Sequence, residues 1–484
     1  MIHYKIICRI IGTLLFIESL ILLLCSLFPL LLRESDFFGF LASSLITACA
    51  GIAFLIYGKG TGNDISRRDG YIVVTVSWLI FSLFGSMPFI ISGFIPNFTN
   101  AFFETMSGFT TTGASIINDI ESLPHGLLFW RSLTQWIGGL GIVFFTVAVL
   151  PIFGFGDVQL FAAEATGPTH GKIHPRISIS GRWILIVYLV LTICCIISLK
   201  ICGMGLFDSV NHTFCAVSTG GYSTKNSSIA FFASPRIENT ITLFMFLAGI
   251  NYSLLYFMLF KGKLKRMFKD TEFNWYFWIT AIFILSIAAG LIIKGYESPA
   301  NALRHSAFQV VSIITTTGFT TTNYMAWAPL LWMILGLCMY PGACAGSSTG
   351  AMKSVRIAVL FKTMNNEFNR ILHPNAILPV RISGKVIPSS TKQSVMAFTI
   401  FYFGIMLFAW LLFMAFGIDL TNAYGATISC MGNVGVAIGG YGSQTSWDVL
   451  PVAGKWLATL LMLIGRLEIF PVLLLLTPSF WNSR

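Results

Sequence analysis

The sequence predicts an all-α integral membrane protein: two extra transmembrane helices, then four pseudo-symmetric units of span, short half-helix and span. Three observations carry that prediction. Of the 484 residues 55% are hydrophobic and only 10% charged, with a mean hydropathy of +0.79. A soluble chain could not hide so much apolar surface, so the bilayer is the main solvent. Charge-free runs at 37–58, 70–103, 239–260, 273–293 and 393–418 each reach about the 20 residues that cross hydrocarbon. Lastly, a short theme returns four times, about a hundred residues apart: Thr110-Thr111-Thr112-Gly113, Ser218-Thr219-Gly220-Gly221, Thr315-Thr316-Thr317-Gly318 and Gly432-Asn433-Val434-Gly435.

In chain order the spans fall at about 6–32, 37–58, 70–92, 127–150, 182–203, 238–260, 273–294, 327–361, 393–416 and 453–477. The first is too long for a cleaved signal peptide and lacks a small-residue cleavage site. Between spans lie half-helices at 97–109, 206–217, 299–314 and 420–431, opened by Thr99 and Asn100, Asp208, Ser298-Pro299 and Asp419. They are too short to cross and too apolar for external loops. The stretch 306–352 shows why they are needed, since its 47 residues hold no Asp, Glu, Lys or Arg. One span cannot use that length; a re-entrant half-helix plus a span can. The units divide at 1–60 (two N-terminal spans), 61–156 (loop 110–114), 157–262 (loop 217–221), 263–365 (loops 314–319 and 341–350) and 366–484 (loop 431–435).

The net charge of +11 is a matter of topology. With the N-terminus cytoplasmic, most basic residues gather on the inner side, in 59–68, 172–182, 261–269 and 353–392, which is the positive-inside rule. No nucleic acid partner is required. The cysteines at 8, 25, 49, 194, 195, 338 and 430 lie in apolar segments without CxxC spacing and read as small buried hydrophobes.

Irregular backbone at membrane depth is tolerated only where protein or water covers it, and four glycine loops facing one axis meet that demand together. Glycine adopts positive φ freely, so Gly113, Gly220, Gly318 and Gly435 can turn successive carbonyls toward the axis. Thr111, Thr112, Ser218, Thr219, Thr316 and Thr317, with Asn433 and Val434 in the fourth loop, add hydroxyls or brace the backbone. Four half-helix C-termini converging there favour a cation, and a ring of carbonyls replaces the water shell of a dehydrated ion. The bland alternative for any one copy is an ordinary glycine helix cap.

Two further features stand out. Arg466 falls inside the last span, where a charge costs roughly 2.5–3.5 kcal/mol; beneath the loops it either limits cation passage or holds a gating loop, or else it is a structural arginine satisfied by carbonyls of a neighbouring helix. The run Pro341-Gly342-Ala343-Cys344-Ala345-Gly346-Ser347-Ser348-Thr349-Gly350 places small, helix-breaking residues mid-span. It reads as a flexible gate around Gly342, Gly346 and Gly350, or as a kinked helix packed through small residues.

On these residues the chain resembles the TrkH-type subunit of bacterial potassium uptake systems, in the superfamily with KtrB and the plant HKT proteins, over nearly its whole length. The resemblance implies K+ uptake across the bacterial cytoplasmic (inner) membrane through a carbonyl-lined, gated pore. Gly113, Gly220, Gly318 and Gly435 then match the filter glycine of each repeat, Asn433 lies in the family's unusual fourth loop, 342–350 matches the intramembrane gating loop, and Arg466 the arginine beneath the filter. It also implies a homodimer docked on a cytosolic TrkA-type regulatory ring that binds nucleotide, with 261–269 and 353–392 as candidate docking segments. A Na+-permeable or cation-coupled symporter of the same superfamily is the alternative.

Other classes fit less well. Coupled transport would use membrane-embedded acids or histidines, and only Glu18 and Glu468 fall within the proposed spans. Gly154-Phe155-Gly156-Asp157 resembles an intramembrane aspartyl protease motif, but no span supplies the second aspartate. His170 and His174 have zinc-like spacing, yet Gly167, Pro168 and Gly171 oppose a helix there. The sequence therefore points away from an enzyme.

Overall fold

Long apolar runs without a helix breaker become long helices, and the breakers decide where the others stop. The computed structural model describes residues 2–60, 66–144, 177–442 and 445–482. The protease-like motif at 154–157 and the His170/His174 pair lie outside the described residues, as does the end of the fourth predicted span.

The described helices run α1 (Tyr4–Cys25), α2 (Phe37–Tyr57), α3 (Arg67–Gly85), α4 (Phe98–Phe109), α5 (His125–Phe144), α6 (Ile177–Ile201), α7 (Leu206–Val217), α8 (Pro235–Ala248), α9 (Tyr252–Lys261), α10 (Thr271–Ile293), α11 (Pro299–Ile314), α12 (Pro329–Cys338), α13 (Ser354–Leu372), α14 (Ser389–Ala415), α15 (Leu420–Gly432), α16 (Val452–Arg466) and α17 (Phe470–Leu475). Between α13 and α14 a two-stranded antiparallel hairpin pairs β1 (Arg381–Ile382) with β2 (Lys385–Val386), Arg381 opposite Val386. Among the described residues six helical stretches are long and apolar enough to cross a bilayer: Tyr4–Leu32, Phe37–Tyr57, Arg68–Ile91, Gly181–Ile201, Thr271–Ile293 and Ser389–Ala415. Their outward residues, such as Leu31, Phe38, Ile201 and Ile293, are largely exposed, as a lipid-facing surface should be. Small residues let α1 and α2 touch: a side-chain carbon on Gly12 would meet the Gly51 carbonyl at 2.7 Å.

The half-helices α4, α7, α11 and α15 fall where the apolar pattern puts them; Ser298 and Asp419 are the N-caps expected, while the first two half-helices are capped differently. Asn97 rather than Thr99 or Asn100 caps α4, accepting from Asn100 N–H at 3.3 Å, and Asp419 caps α15. Gly205 is the N-cap of α7, with Asp208 inside its first turn.

The structure corrects four predicted spans, because the helix following each loop is broken. Gly141 interrupts α5 at φ 52°, ψ −147°. Helices α8 and α9 meet at 106°; Asn251 ends the turn by accepting from Ser253 N–H at 2.8 Å. Residues 339–353 separate α12 from α13, and Glu468 (φ 56°) with Ile469 (φ 70°) divides α16 from α17. Hydropathy sees apolar length and not backbone dihedrals, so it merged each pair, although the small, helix-breaking residues of 341–350 already marked the third break in the sequence. Arg466 is thus the last residue of a helix instead of the middle of one. Two cysteines are corrected as well: Cys49 and Cys194 are exposed, facing outward from α2 and α6.

Candidate functional site: four loops in a closed circle

Each half-helix ends the same way. The second loop residue takes left-handed backbone, at Thr111 (φ 52°), Thr219 (57°), Thr316 (56°) and Asn433 (54°). Two residues later a glycine follows at positive φ: Gly113 (83°), Gly221 (79°), Gly318 (82°) and Gly435 (86°). Four loops of different sequence therefore share one backbone solution.

These glycines also touch the next loop. A side-chain carbon on Gly113 would lie 2.0 Å from the Gly220 carbonyl oxygen, and one on Gly221 would lie 1.8 Å from that of Thr317. On Gly318 it would lie 2.2 Å from Val434 O, and on Gly435 2.2 Å from Thr112 O. The first loop abuts the second, the second the third, the third the fourth, and the fourth the first. Only glycine permits that approach.

This geometry corrects one assignment. Gly220 does not carry the turn of the second loop; Gly221 does, and Gly220 takes the place held elsewhere by Thr112, Thr317 and Val434. Two adjacent glycines look alike in sequence. Helix α7 ends at Val217, which puts Thr219 in the left-handed position and the matching glycine two residues on.

Side chains brace the circle from behind and below. Thr112 and Thr317 hydroxyls each lie 2.8 Å from a hydroxyl of their own loop, Thr110 and Thr315. Ser218 donates to Cys215 O at 3.4 Å. Asn433 Nδ2 donates to Thr112 Oγ1 at 3.0 Å and to Met462 O at 2.9 Å, tying the fourth loop to the first and to α16.

Residues 341–350 lie against three of the loops. Ser348 Oγ donates to Val217 O at 3.1 Å and lies 3.3 Å from Thr219 Oγ1, while Gly350 N–H donates to Thr316 Oγ1 at 2.9 Å. A side-chain carbon on Gly350 would meet Gly432 O at 2.5 Å. Gly342 and Gly346 take positive φ (63° and 74°), as do Ala351 and Lys353 at 57°, so the segment holds backbone that L-residues adopt only at a cost.

Charged groups hold this segment in place. Arg466 Nη1 donates to Ser348 O at 2.6 Å and Nη2 to Gly138 O at 2.5 Å. Arg466 is thus satisfied by carbonyls, one of which belongs to the segment beside the loops. Glu272 on α10 accepts from Ala345 N–H, Asn251 Nδ2 donates to Ala345 O at 2.6 Å, and Lys353 Nζ donates to Thr349 O. Arg356 pairs with Glu468 across the break after α16. Lys353 and Arg356 are buried, so that part of the basic 353–392 stretch turns inward and offers no docking surface.

Sequence reasoning missed several of these groups. Glu104 on α4 is buried against Arg131 of α5 at 2.9 Å, and it also accepts from Ile116 N–H at 3.0 Å. Glu238 and Glu272, in the first turns of α8 and α10, are buried too. Each of these three has a partner: Arg131, Arg304 at 2.9 Å, and Ala345 N–H. A lone acid beside the charge-free run 70–103 was the available signal for Glu104. No sequence signal singled out Gln135, whose amide reaches the second loop.

Over nearly its whole length the chain is similar to known transport proteins. The TrkH family model, described as a cation transport protein, matches residues 38–483. The Trk system potassium uptake protein TrkH of Salmonella typhimurium is 35% identical over 486 residues, covering 99% of this chain and 100% of the relative. Its namesake in Escherichia coli (strain K12) is 35% identical over 488 residues, with the same coverage. The crystal structure of the potassium transporter TrkH from Vibrio parahaemolyticus superposes with a TM-score of 0.89 at 32% identity, over 99% of this chain and 100% of that one.

Proposed function

The chain belongs to the TrkH family of cation transport proteins, a transporter family with no enzymatic role, and from that premise we propose that it takes up K+ through the circle of four loops. The closed sequence of contacts Gly113–Gly220, Gly221–Thr317, Gly318–Val434 and Gly435–Thr112 carries this reading. A circle of backbone carbonyls stands in for the hydration shell of a dehydrated ion. The negative ends of α4, α7, α11 and α15 add a field that favours a cation. The units 61–156, 157–262, 263–365 and 366–484 each supply one quarter.

In this reading the segment around Gly342, Gly346 and Gly350 is the gate, closed in the arrangement described, and Arg466 holds it shut. The relatives carry the name of a Trk system of potassium uptake, which supports a membrane protein that works within a larger uptake system; to this we add a bacterial cytoplasmic membrane location, a homodimer and a nucleotide-binding cytosolic ring acting on the gate. The inner concentration of basic residues supports a cytoplasmic N-terminus.

Reconstitution into liposomes with an imposed K+ gradient and no proton gradient tests the proposal. Uptake of ⁸⁶Rb⁺ exceeding ²²Na⁺ is the expected result. Flux that requires a proton gradient, or equal Na+ passage, would replace it with the coupled or Na+-permeable alternative.

A further inference from the structure

Gln135 is fully buried on α5 and spends both ends of its amide on the second loop. Nε2 donates to Gly220 O at 2.7 Å, and Oε1 accepts from Tyr222 N–H at 3.0 Å. One turn earlier Arg131 donates to Ser223 O at 3.2 Å and lies 4.2 Å from the Tyr222 ring centre. The Tyr222 hydroxyl in turn donates to Glu104 O at 2.7 Å. The strand of backbone from Gly220 to Ser223 is thereby gripped by α4 and α5.

Gly220 O is one of four equivalent oxygens, the others being those of Thr112, Thr317 and Val434. Among the described residues it alone of the four accepts a hydrogen bond. Resting on the cation path proposed above, we infer that Gln135 is a positioning residue that sets the preference of the circle for K+ over Na+. Two effects act in the same direction. The amide fixes where the Gly220 oxygen stands, and by donating to it reduces the electron density left for an ion. Number and strength of carbonyl dipoles govern selectivity. A stronger or looser oxygen at this one place favours the smaller ion, which binds strong dipoles best and tolerates a collapsing cage.

The test compares Gln135→Met, which keeps length and loses the amide, with the unaltered protein in the same liposomes, reading ⁸⁶Rb⁺ and ²²Na⁺ uptake separately. The ratio of the two fluxes should fall about 2- to 10-fold, the range set by the net worth of one neutral hydrogen bond. Should Gln135→Met fail to fold, Gln135→Asn keeps a buried amide one methylene too short, and the same fall is expected. An unchanged ratio, with only total flux reduced, overturns the inference, because a purely structural role loosens folding without altering ion preference. If the unaltered protein passes no Rb⁺ at all, it is the cation path that fails.

Discussion

Replacing Arg466 by alanine should release the segment beneath the loops. Its guanidinium makes two charge-assisted hydrogen bonds, to Ser348 O at 2.6 Å and to Gly138 O at 2.5 Å. Only the first must break for the segment to leave, since Gly138 stays with α5. A hydrogen bond to a charged group contributes about 1.5–3 kcal/mol, and because Arg466 is only partly buried the lower half of that range applies. About 1.5–2 kcal/mol corresponds to roughly 10- to 30-fold in the ratio of open to closed protein. The measurement is ⁸⁶Rb⁺ uptake into liposomes holding the transporter without any cytosolic subunit, so that only contacts within the chain restrain the segment. Arg466→Lys separates charge from geometry. It retains the positive barrier but cannot reach both carbonyls with a planar fork, so a flux between those of the unaltered protein and Arg466→Ala supports the latch. If Arg466→Ala lowers Rb⁺ uptake while thermal unfolding in detergent is unchanged, the arginine shapes an open path and the reasoning fails.

The remaining predictions concern the circle and its supports. Gly221→Ala should be far more damaging than Gly220→Ala, because the first adds about 1–2 kcal/mol of left-handed strain to a 1.8 Å approach to the backbone oxygen of Thr317, whereas the second meets only the Gln135 side chain; comparable loss of Rb⁺ uptake in both would contradict the assignment of Gly221. Removing one member of the buried Glu104–Arg131 pair should cost about 3–5 kcal/mol, seen as a large drop in melting temperature for Arg131→Met, with part of it recovered when Glu104→Gln is added. Recovery of nothing would mean the two act independently. Asn251→Ala and Glu272→Gln each weaken an anchor on Ala345, and uptake should rise about 2- to 10-fold in either variant; a fall in both would show that the segment must be held firmly for ions to pass.

Much of the membrane architecture was legible in the sequence. The half-helices were found to within a residue or two because a dozen apolar residues ending in hydroxyl and glycine is a local pattern. The breaks in the helices that follow were hidden, since Asn251, Glu468 and Ile469 interrupt runs that remain apolar on both sides. Gln135 was equally hidden: it is an unremarkable residue on its own helix and matters only for what it meets on another element.

Solvent and period are one-dimensional properties, so composition and spacing alone pointed to a multi-pass membrane protein and placed its four half-helices. Register is not. Whether Gly220 or Gly221 takes positive φ depends on where α7 stops and on which carbonyl of the third loop lies against it. The closure of four unlike loops into one circle, and the placement of Arg466 at a helix end touching Ser348, are contacts between residues far apart in the chain, and only packing in three dimensions decides them.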